Sequence, residues 1–340
     1  MKLIYDTLAG FCEQYGLPLF YLDILLMLMV VGIIMGFVSI SVLGMVWLER
    51  KVSAHMQDRL GPMRVGPHGV LQTIADAVKL LFKERITPHK ADKVVYILAP
   101  VVIFASAMAA YVVIPWSPGM IIADLNIGWL YLLAIGGVAV IGILMAGWGS
   151  NNKYSLLGGF RSGAQIISYE VAATLSCLGV IMLTGSLSMV DIVNAQKELG
   201  WPFIVYQTVA FFVYLMAATA EVNRAPFDLP EAESELIAGF HTEYSAMGFS
   251  MFFLAEYANM FIVSAIATTL FLGGWLGPVL PPIVWFLIKT FGLVFVLMWF
   301  RWTYPRIRVD QLMVFGWKFL IPVAFINLLI TGVGMLLWWN

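Results

Sequence analysis

Carboxylates concentrate in one short stretch of this chain. Residues 221–243 read EVNRAPFDLPEAESELIAGFHTE, and they hold six of the twenty acidic residues. The six are Glu221, Asp228, Glu231, Glu233, Glu235 and Glu243. Closely spaced carboxylates cannot all ionise cheaply, so some must hold protons or pair with cations. The stretch therefore predicts proton handling, and the simpler alternative is a solvated acidic loop.

Three more ionisable residues fall inside long apolar segments. Along a helix that rises about 1.5 Å per residue, Glu170 would lie about 13 Å from Arg161 and Glu256 about 20 Å from Glu243. Lys289 would lie about 18 Å from Arg301. A charge at such a depth costs at least about 2.5 kcal/mol in a membrane. Each residue alone is as compatible with a structural ion pair as with function. Together with the acidic stretch, the buried glutamates favour a proton path.

The acidic stretch also carries signs of a defined structure. Pro226 and Pro230 interrupt any helix and hold extended segments. Glu231, Glu233 and Glu235 alternate at period two, so an extended chain would direct all three side chains to one side. The interleaved apolar residues predict cover by lipid headgroups or by another protein, and they are Phe227, Leu229, Leu236, Ile237 and Phe240.

Composition determines the class of protein that must position these residues. The 340 residues are 61% hydrophobic and only 11% charged, and apolar runs long enough to cross a membrane recur. We predict an all-α polytopic membrane protein. A net charge of −1 argues against a nucleic-acid partner. Cys12 and Cys177 lack metal-site spacing, no His pattern indicates a metal site, and no phosphate-binding glycine motif is present.

Eight membrane spans are predicted, all within one transmembrane domain of residues 1–340. The first runs from Ile24 to Leu48, and the others lie near residues 94–115, 127–149, 163–184, 201–220, 244–272, 283–300 and 312–338. Sixteen lysines and arginines fall on one side of the membrane and two on the other, which identifies the cytoplasmic side. We expect a bacterial inner membrane protein, rather than a mitochondrial one, with both termini periplasmic and the acidic stretch cytoplasmic between spans five and six.

The segment between the first two spans is polar and structured. Its sequence RLGPMRVGPHG at 59–69 is dense in glycine and proline, which is typical of a fixed turn. Apolar residues then recur at helical spacing over about 69–85. This pattern predicts an amphipathic helix at the membrane surface or against a partner.

Four motifs, together with the amphipathic helix, resemble one known family. They are WLERK at 47–51, RLGPMRVGPHG at 59–69, SYE at 168–170 and the acidic stretch itself. This combination resembles the H subunits of NADH-quinone oxidoreductase, respiratory complex I, whose mitochondrial equivalent is subunit 1. The resemblance covers essentially the whole chain.

The resemblance implies an enzyme subunit of a proton-translocating complex, with no redox centre and no catalytic residue in this chain alone. Such subunits form the heel between the peripheral and membrane arms, and they form most of the tunnel for quinone. It implies ubiquinone or menaquinone as substrate, with FMN and iron–sulfur clusters only in partner subunits. The implied partners are the peripheral quinone-reducing and iron–sulfur subunits, small membrane subunits and lipid.

Site residues carry over by motif. The resemblance implies a proton path through Glu170, Glu221, Asp228, Glu231, Glu233, Glu235, Glu243 and Glu256. It implies a quinone tunnel lined or braced by Glu49, Arg50, Arg59, Arg64, Arg224 and Phe227. No metal ligands are implied in this chain.

Three alternatives stay open on the sequence alone. In the first, the chain is the equivalent subunit of a membrane-bound hydrogenase or of a dehydrogenase with another electron donor. In the second, it is a stand-alone proton-coupled transporter that uses Glu170, Glu256 and Lys289, although no internal repeat supports this. In the third, it is a structural anchor whose carboxylates tolerate neutral replacement.

Overall fold

The computed structural model describes residues 19–230 and 233–338, and within these residues the chain forms helices and no β-strand. The helices are α1 Leu19–Met56, α2 Gln72–Phe82, α3 Lys93–Ala110, α4 Gly128–Gly149, α5 Lys153–Thr184, α6 Met189–Leu199, α7 Thr208–Glu221, α8 Glu233–Leu236, α9 Ala246–Phe271, α10 Pro282–Thr303, α11 Val309–Phe315 and α12 Ile321–Trp338. A π-helical turn at Gly316–Leu320 joins α11 and α12 into one continuous helix.

The predicted all-α membrane fold is confirmed, with one difference in the number of spans. Among the described residues, seven helices are long and apolar enough to cross a membrane, and the eighth predicted span is shorter. Helix α7 begins only at Thr208 and has 14 residues. The preceding residues form turns instead, with Val205 N–H donating to the Pro202 carbonyl and Gln207 N–H donating to the Phe203 carbonyl.

Capping residues set several helix boundaries. The Asp92 carboxylate accepts from the backbone N–H of Val94 at the start of α3. The Asn152 side chain accepts from Tyr154 N–H at the start of α5, ten residues before the predicted start of that span. Such side-chain acceptors satisfy N–H groups that a helix start leaves without intrahelical partners. Helix α5 ends at Thr184 and is capped by Gly185, whose φ of 68° is left-handed.

Two boundaries matter for the site. Helix α1 continues to Met56 rather than ending at Leu48, so Glu49 and Arg50 are helical residues with fixed directions. Helix α2 occupies Gln72–Phe82, inside the segment predicted to be amphipathic. Its outer residues Ile74, Val78 and Phe82 are exposed.

Several helix ends meet at one end of the bundle. Asp92 N–H, before α3, donates to the Gly149 carbonyl at the end of α4. Ile307 N–H, before α11, donates to the Pro226 carbonyl just after α7. Helices α3, α4, α5, α7 and α9 pack around one contiguous apolar core. The end of the bundle at which these connections lie is also the end that carries the acidic stretch.

Close backbone packing fixes the acidic stretch against α5. A Cβ on Gly158 of α5 would lie 2.7 Å from the Cα of Gly239. Gly239 itself has a φ of 58° in a short turn, Gly239–His241. Both positions therefore need glycine, because any side chain at Gly158 would push the acidic stretch away from the helix.

Candidate functional site

Three helices and the first residues of the acidic stretch bring five polar side chains together. Glu49 comes from the end of α1, Arg224 follows α7, Glu256 and Tyr257 lie on α9, and Arg301 lies near the end of α10. These five residues are called the arginine–carboxylate cluster. Two guanidinium groups balance two carboxylates, so the cluster is formally neutral when both acids are ionised.

Arg224 is the centre of the cluster. Its Nη1 lies 3.0 Å from Glu49 Oε1 and 3.2 Å from Glu49 Oε2. Its Nε lies 2.9 Å from Glu256 Oε1. Only 4% of Arg224 is exposed, with 7% of the Glu49 side chain and 22% of the Glu256 side chain, so the arginine end of both ion pairs lies away from solvent. Breaking a buried pair by removing one partner leaves an uncompensated charge, which makes this arrangement costly to disturb.

Two members of the cluster were missed in the sequence. The Tyr257 hydroxyl donates to Glu49 Oε2 at 2.6 Å, and its ring lies 4.5 Å from the Arg224 guanidinium carbon. Arg301 forms a second ion pair with Glu49. Tyr257 gave only the weak signal of following Glu256. Arg301 ended an apolar segment, so it counted only as a topology signal.

An aromatic cleft opens beside the cluster. It is a cavity of about 130 Å³ whose lining includes Arg224, Glu256 and Arg301. The rest of its lining is aromatic and consists of Phe240, His241, Phe249, Phe252 and Phe253. Burial lowers the pKa of His241 to about 4, so its imidazole is neutral at neutral pH. The cleft therefore combines aromatic side chains with charged hydrogen-bonding groups.

A second cavity connects the cluster to a deeper acid. It has a volume of about 100 Å³ and has both Glu256 and Glu221 in its lining. Ser106, Asn223 and Asn259 contribute polar side chains to the same lining. A cavity of this size with several polar partners is suitable for ordered water.

Glu170 lies next to Glu221. Oε1 of Glu170 and Oε1 of Glu221 each lie 3.9 Å from the place that a Cβ on Gly136 would take. The two carboxylates therefore face one glycine on α4. Glu256, Glu221 and Glu170 follow one another in space, although they come from three helices.

Asp228 forms a separate pair outside the cluster. Its Oδ2 lies 3.3 Å from Arg306 Nη2, in the loop before α11. Burial raises the pKa of Asp228, and the positive charge of Arg306 opposes that shift. Among the described residues its Oδ1 has no hydrogen-bond partner.

Two other acids of the stretch have separate partners. Glu235 pairs with Arg161 of α5 at 2.6 Å, and Glu243 accepts a hydrogen bond from Asn152. Glu231 lies outside the described residues. The predicted extended alternation is wrong over Glu233–Leu236, because this segment is one turn of helix. Residues two apart on a helix do not face the same side.

The predicted tunnel residues divide between core and surface. Glu49 and Arg224 belong to the cluster, whereas Phe227 is a core residue 5.5 Å from the Tyr169 ring. The three arginines of the first polar segment are exposed. Arg50 pairs with Asp76 of α2 at 2.6 Å, and Arg59 donates to Gln57. Arg64 lies in the same polar segment.

Lys289 differs from its predicted deep position. It lies only seven residues after the start of α10, at the end of the bundle opposite the cluster. Its Nζ donates to the carbonyls of Leu272, Gly274 and Leu276 at 2.7, 3.2 and 2.7 Å. The ammonium group therefore caps the end of α9. No group of three or more His, Cys, Asp or Glu residues in the described part of the chain could hold a metal ion.

Comparison with known proteins places the chain in a family. A family model described as NADH dehydrogenase matches residues 28–332. A protein of Dehalococcoides mccartyi (strain CBDB1), named as the H subunit of NADH-quinone oxidoreductase, is 58% identical over 305 residues, covering 90% of this chain and 86% of the relative. A protein of the same name from Brevibacillus brevis (strain 47) is 49% identical over 334 residues, covering 96% and 97%. The predicted resemblance is therefore confirmed, and the chain belongs to the NADH dehydrogenase family, together with relatives named as H subunits of NADH-quinone oxidoreductase.

Proposed function

We propose that this chain is the heel subunit of a proton-pumping NADH:quinone oxidoreductase. In this role it forms the quinone tunnel together with the peripheral arm. It couples quinone reduction to proton translocation through its buried glutamates. Family membership makes it a subunit of an oxidoreductase complex, since its relatives carry that name. Its apolar helices make it a multi-pass membrane protein, and we infer cytoplasmic placement of the acidic stretch.

One observation carries the proposal most strongly: the aromatic cleft lies directly against the arginine–carboxylate cluster. A quinone head group is flat and apolar on its faces and accepts hydrogen bonds at its carbonyls. Phe240, Phe249 and Phe252 contribute aromatic rings to the lining of the cavity, and Arg224 and Arg301 contribute donors to the same lining. A pocket that is mostly apolar with a few convergent polar groups is typical of a small-molecule site.

The order of the acids supports coupling. Reduction of a quinone to a quinol consumes electrons and protons, and the electrons must come from iron–sulfur clusters of partner subunits. Glu256 touches both the cluster and the second cavity, and Glu221 lies at the same cavity. A change in charge or hydrogen bonding at the cleft therefore acts first on Glu256. Glu221 and then Glu170 are the next acids that can respond inside the membrane.

The ion pairs give this response a physical basis. Arg224 is shared between Glu49 and Glu256, so a proton taken up by either acid changes how strongly the arginine holds the other. Ion pairs at this burial are screened far less than surface pairs. The cluster can therefore convert a local chemical change into a change of proton affinity nearby.

The experiment replaces Glu256 by glutamine in the intact complex in native membranes. Glutamine keeps the size and removes the titratable group. We expect normal assembly on a native gel and normal electron transfer from NADH to an artificial acceptor. Quinone reduction and proton pumping should fall together by at least about tenfold, equivalent to 1.4 kcal/mol.

The matched control is Glu198→Gln, since Glu198 is an exposed glutamate of α6. It should leave every activity unchanged. Wild-type quinone reduction and pumping in the Glu256→Gln complex would overturn the coupling role. That outcome would favour a structural anchor, whose carboxylates tolerate neutral replacement.

A further inference from the structure

Gln165 connects α5 to the backbone that carries Arg224. Its Nε2 donates to the Ala220 carbonyl at 2.7 Å, to Asn223 Oδ1 at 3.1 Å and to the Phe227 carbonyl at 2.9 Å. Only 2% of Gln165 is exposed. All three acceptors belong to residues 220–227, which lead from α7 into the acidic stretch.

The three contacts require an amide at this position. All three neighbours of Nε2 are acceptors, so only a donor group with more than one hydrogen can serve them. Among the described residues, Oε1 of Gln165 has no hydrogen-bond partner. The contacts to residues 220–227 therefore select the orientation of the amide, and a carboxylate of the same shape would repel each of them.

Two more residues on the same face of α5 contact residues 220–227. Ser162 accepts from Asn223 Nδ2 at 3.1 Å, and this contact fixes the Asn223 amide so that its oxygen faces Gln165. Tyr169 packs its ring against Phe227. Residues 162, 165 and 169 follow one stripe of the helix. Gln165 is the central member of this stripe and the one that contacts both sides of Arg224.

The contacts enclose Arg224 on both sides along the chain. Asn223 has a left-handed φ of 53°, and Arg224 N–H donates to the Thr219 carbonyl. Phe227 N–H donates to the Arg224 carbonyl. The turn that aims the Arg224 side chain therefore has one end at Asn223 and the other at Phe227, and Gln165 holds both ends.

We propose that Gln165 is a positioning residue that places Arg224 between Glu49 and Glu256 by holding the backbone on both sides of it to α5. This inference rests on the proposed function, because it assigns Gln165 a role in quinone chemistry through the arginine. Small displacements of a charged group at a reaction site change rates strongly. Loss of this contact should therefore alter quinone kinetics and coupling more than it alters assembly.

A second glutamine of the same kind provides the matched control. Gln196 on α6 is 1% exposed, and its Nε2 donates to the carbonyls of Ile192 and Thr269. Its Oε1 accepts from Phe203 N–H at 3.1 Å. It joins backbone segments as Gln165 does, but at the opposite end of the bundle. A purely structural effect of losing a buried amide should appear equally in both.

The experiment compares Gln165→Met and Gln165→Glu with Gln196→Met in the intact complex. The measurements are the KM and kcat for a soluble short-chain quinone, protons pumped per electron, and electron transfer to an artificial acceptor. For Gln165→Met we expect at least about a fivefold change in kcat/KM and fewer protons per electron, with normal artificial-acceptor activity. Gln196→Met should change only the amount of complex assembled.

Gln165→Glu adds a pH signature. An ionised glutamate has no donor for the three acceptors, whereas a protonated one supplies a single O–H donor. Quinone reduction by this variant should therefore recover in part as the pH is lowered, relative to wild type at each pH. Gln165→Met should show no such recovery, because its side chain does not titrate.

Wild-type quinone kinetics and pumping in Gln165→Met would overturn the inference, as would equal changes in Gln196→Met. If neither Gln165 variant assembles, Asn223→Gly decides, because glycine keeps the left-handed backbone and removes one acceptor. It should lower kcat/KM about twofold, and unchanged kinetics would overturn the inference. If Glu256→Gln alters quinone kinetics and the Gln165 variants do not, only the positioning role fails. If Glu256→Gln is also unchanged, the proposed function itself fails.

Discussion

The chain holds a cation in close contact with polar partners at each end of its helix bundle, and the two sites differ in those partners. Arg224 lies between two carboxylates, beside a phenol and next to the aromatic cleft. Lys289 lies among three backbone carbonyls at the end of α9. Both cations have close partners of opposite charge or polarity, although Arg224 Nη2 has no hydrogen-bond partner among the described residues. Only the partners of Arg224 can change their charge.

This difference separates function from architecture. Carbonyl dipoles do not titrate, so no partner of Lys289 can change its charge, and the site serves to close a helix end. The Arg224 site has several protonation states because Glu49 and Glu256 share one arginine. A buried charge alone therefore does not identify a proton path. The chemistry of its partners does, and four changes test this comparison.

The largest expected effect follows from Arg224→Gln. Without the guanidinium, Glu49 and Glu256 lose the partner that they share. This loss should lower the free energy of unfolding by about 3–5 kcal/mol. We expect most of the assembled complex to be lost on a native gel. Arg308→Gln is the control, since Arg308 forms an exposed pair with Asp310. A normal amount of complex in Arg224→Gln would show that the cluster does not depend on its central arginine.

Lys289→Met should have the next largest effect, and on stability alone. Loss of the charged donor leaves three carbonyls less well satisfied, which should cost about 2–3 kcal/mol locally. Hydrogen exchange near residues 272–276 of the purified complex measures the local opening free energy. Quinone reduction per assembled complex should stay at wild-type level, and Lys289→Arg should retain most of the protection. A fall in proton pumping with normal assembly would place Lys289 on a proton path. The functional difference between the Lys289 and Arg224 sites would then be wrong.

The pH dependence of stability around the aromatic cleft should be smaller and has a defined sign. Because burial lowers the pKa of His241 to about 4, the unfolded chain binds a proton that the folded chain does not. This histidine therefore does not lower the free energy of unfolding above about pH 6.5. As the pH falls from 6.5 to 4, the free energy of unfolding decreases by about 1.4 kcal/mol per pH unit.

His241→Phe should flatten this dependence. Thermal unfolding of the purified complex at pH 7.5 and pH 5.5 measures it, with His89→Phe as the exposed-histidine control. An unchanged pH dependence in His241→Phe would mean that His241 is not kept neutral by the cleft.

The smallest effect should come from Arg161→Gln. The Arg161–Glu235 pair is partly exposed, and pairs of this kind contribute about 0.2–1 kcal/mol. Hydrogen exchange of the α8 amides should therefore change only slightly. A decrease of more than about 2 kcal/mol in the opening free energy of these amides would show that the ion pair, and not only the glycine packing at Gly158, holds the acidic stretch on α5.

Much of the architecture was predictable because membrane helices obey local rules. Length and apolarity predicted the all-α fold, since every backbone polar group in hydrocarbon must be satisfied within its own helix. The main boundary error arose where a non-local contact set the boundary. Helix α7 begins late because residues 201–207 turn, and Ile204 N–H in these turns donates to the Phe271 carbonyl at the end of α9.

The sequence by itself determined which residues are available: the helices that cross the membrane, the family motifs and the unusual density of carboxylates. Only the tertiary structure decided which of those residues meet. Glu49, Arg224 and Arg301 are more than 70 residues apart in sequence, and Gln165 gave no signal at all. Their contacts depend on the packing of separate helices, and local periodicity contains no information about the partner that a side chain finds on another helix.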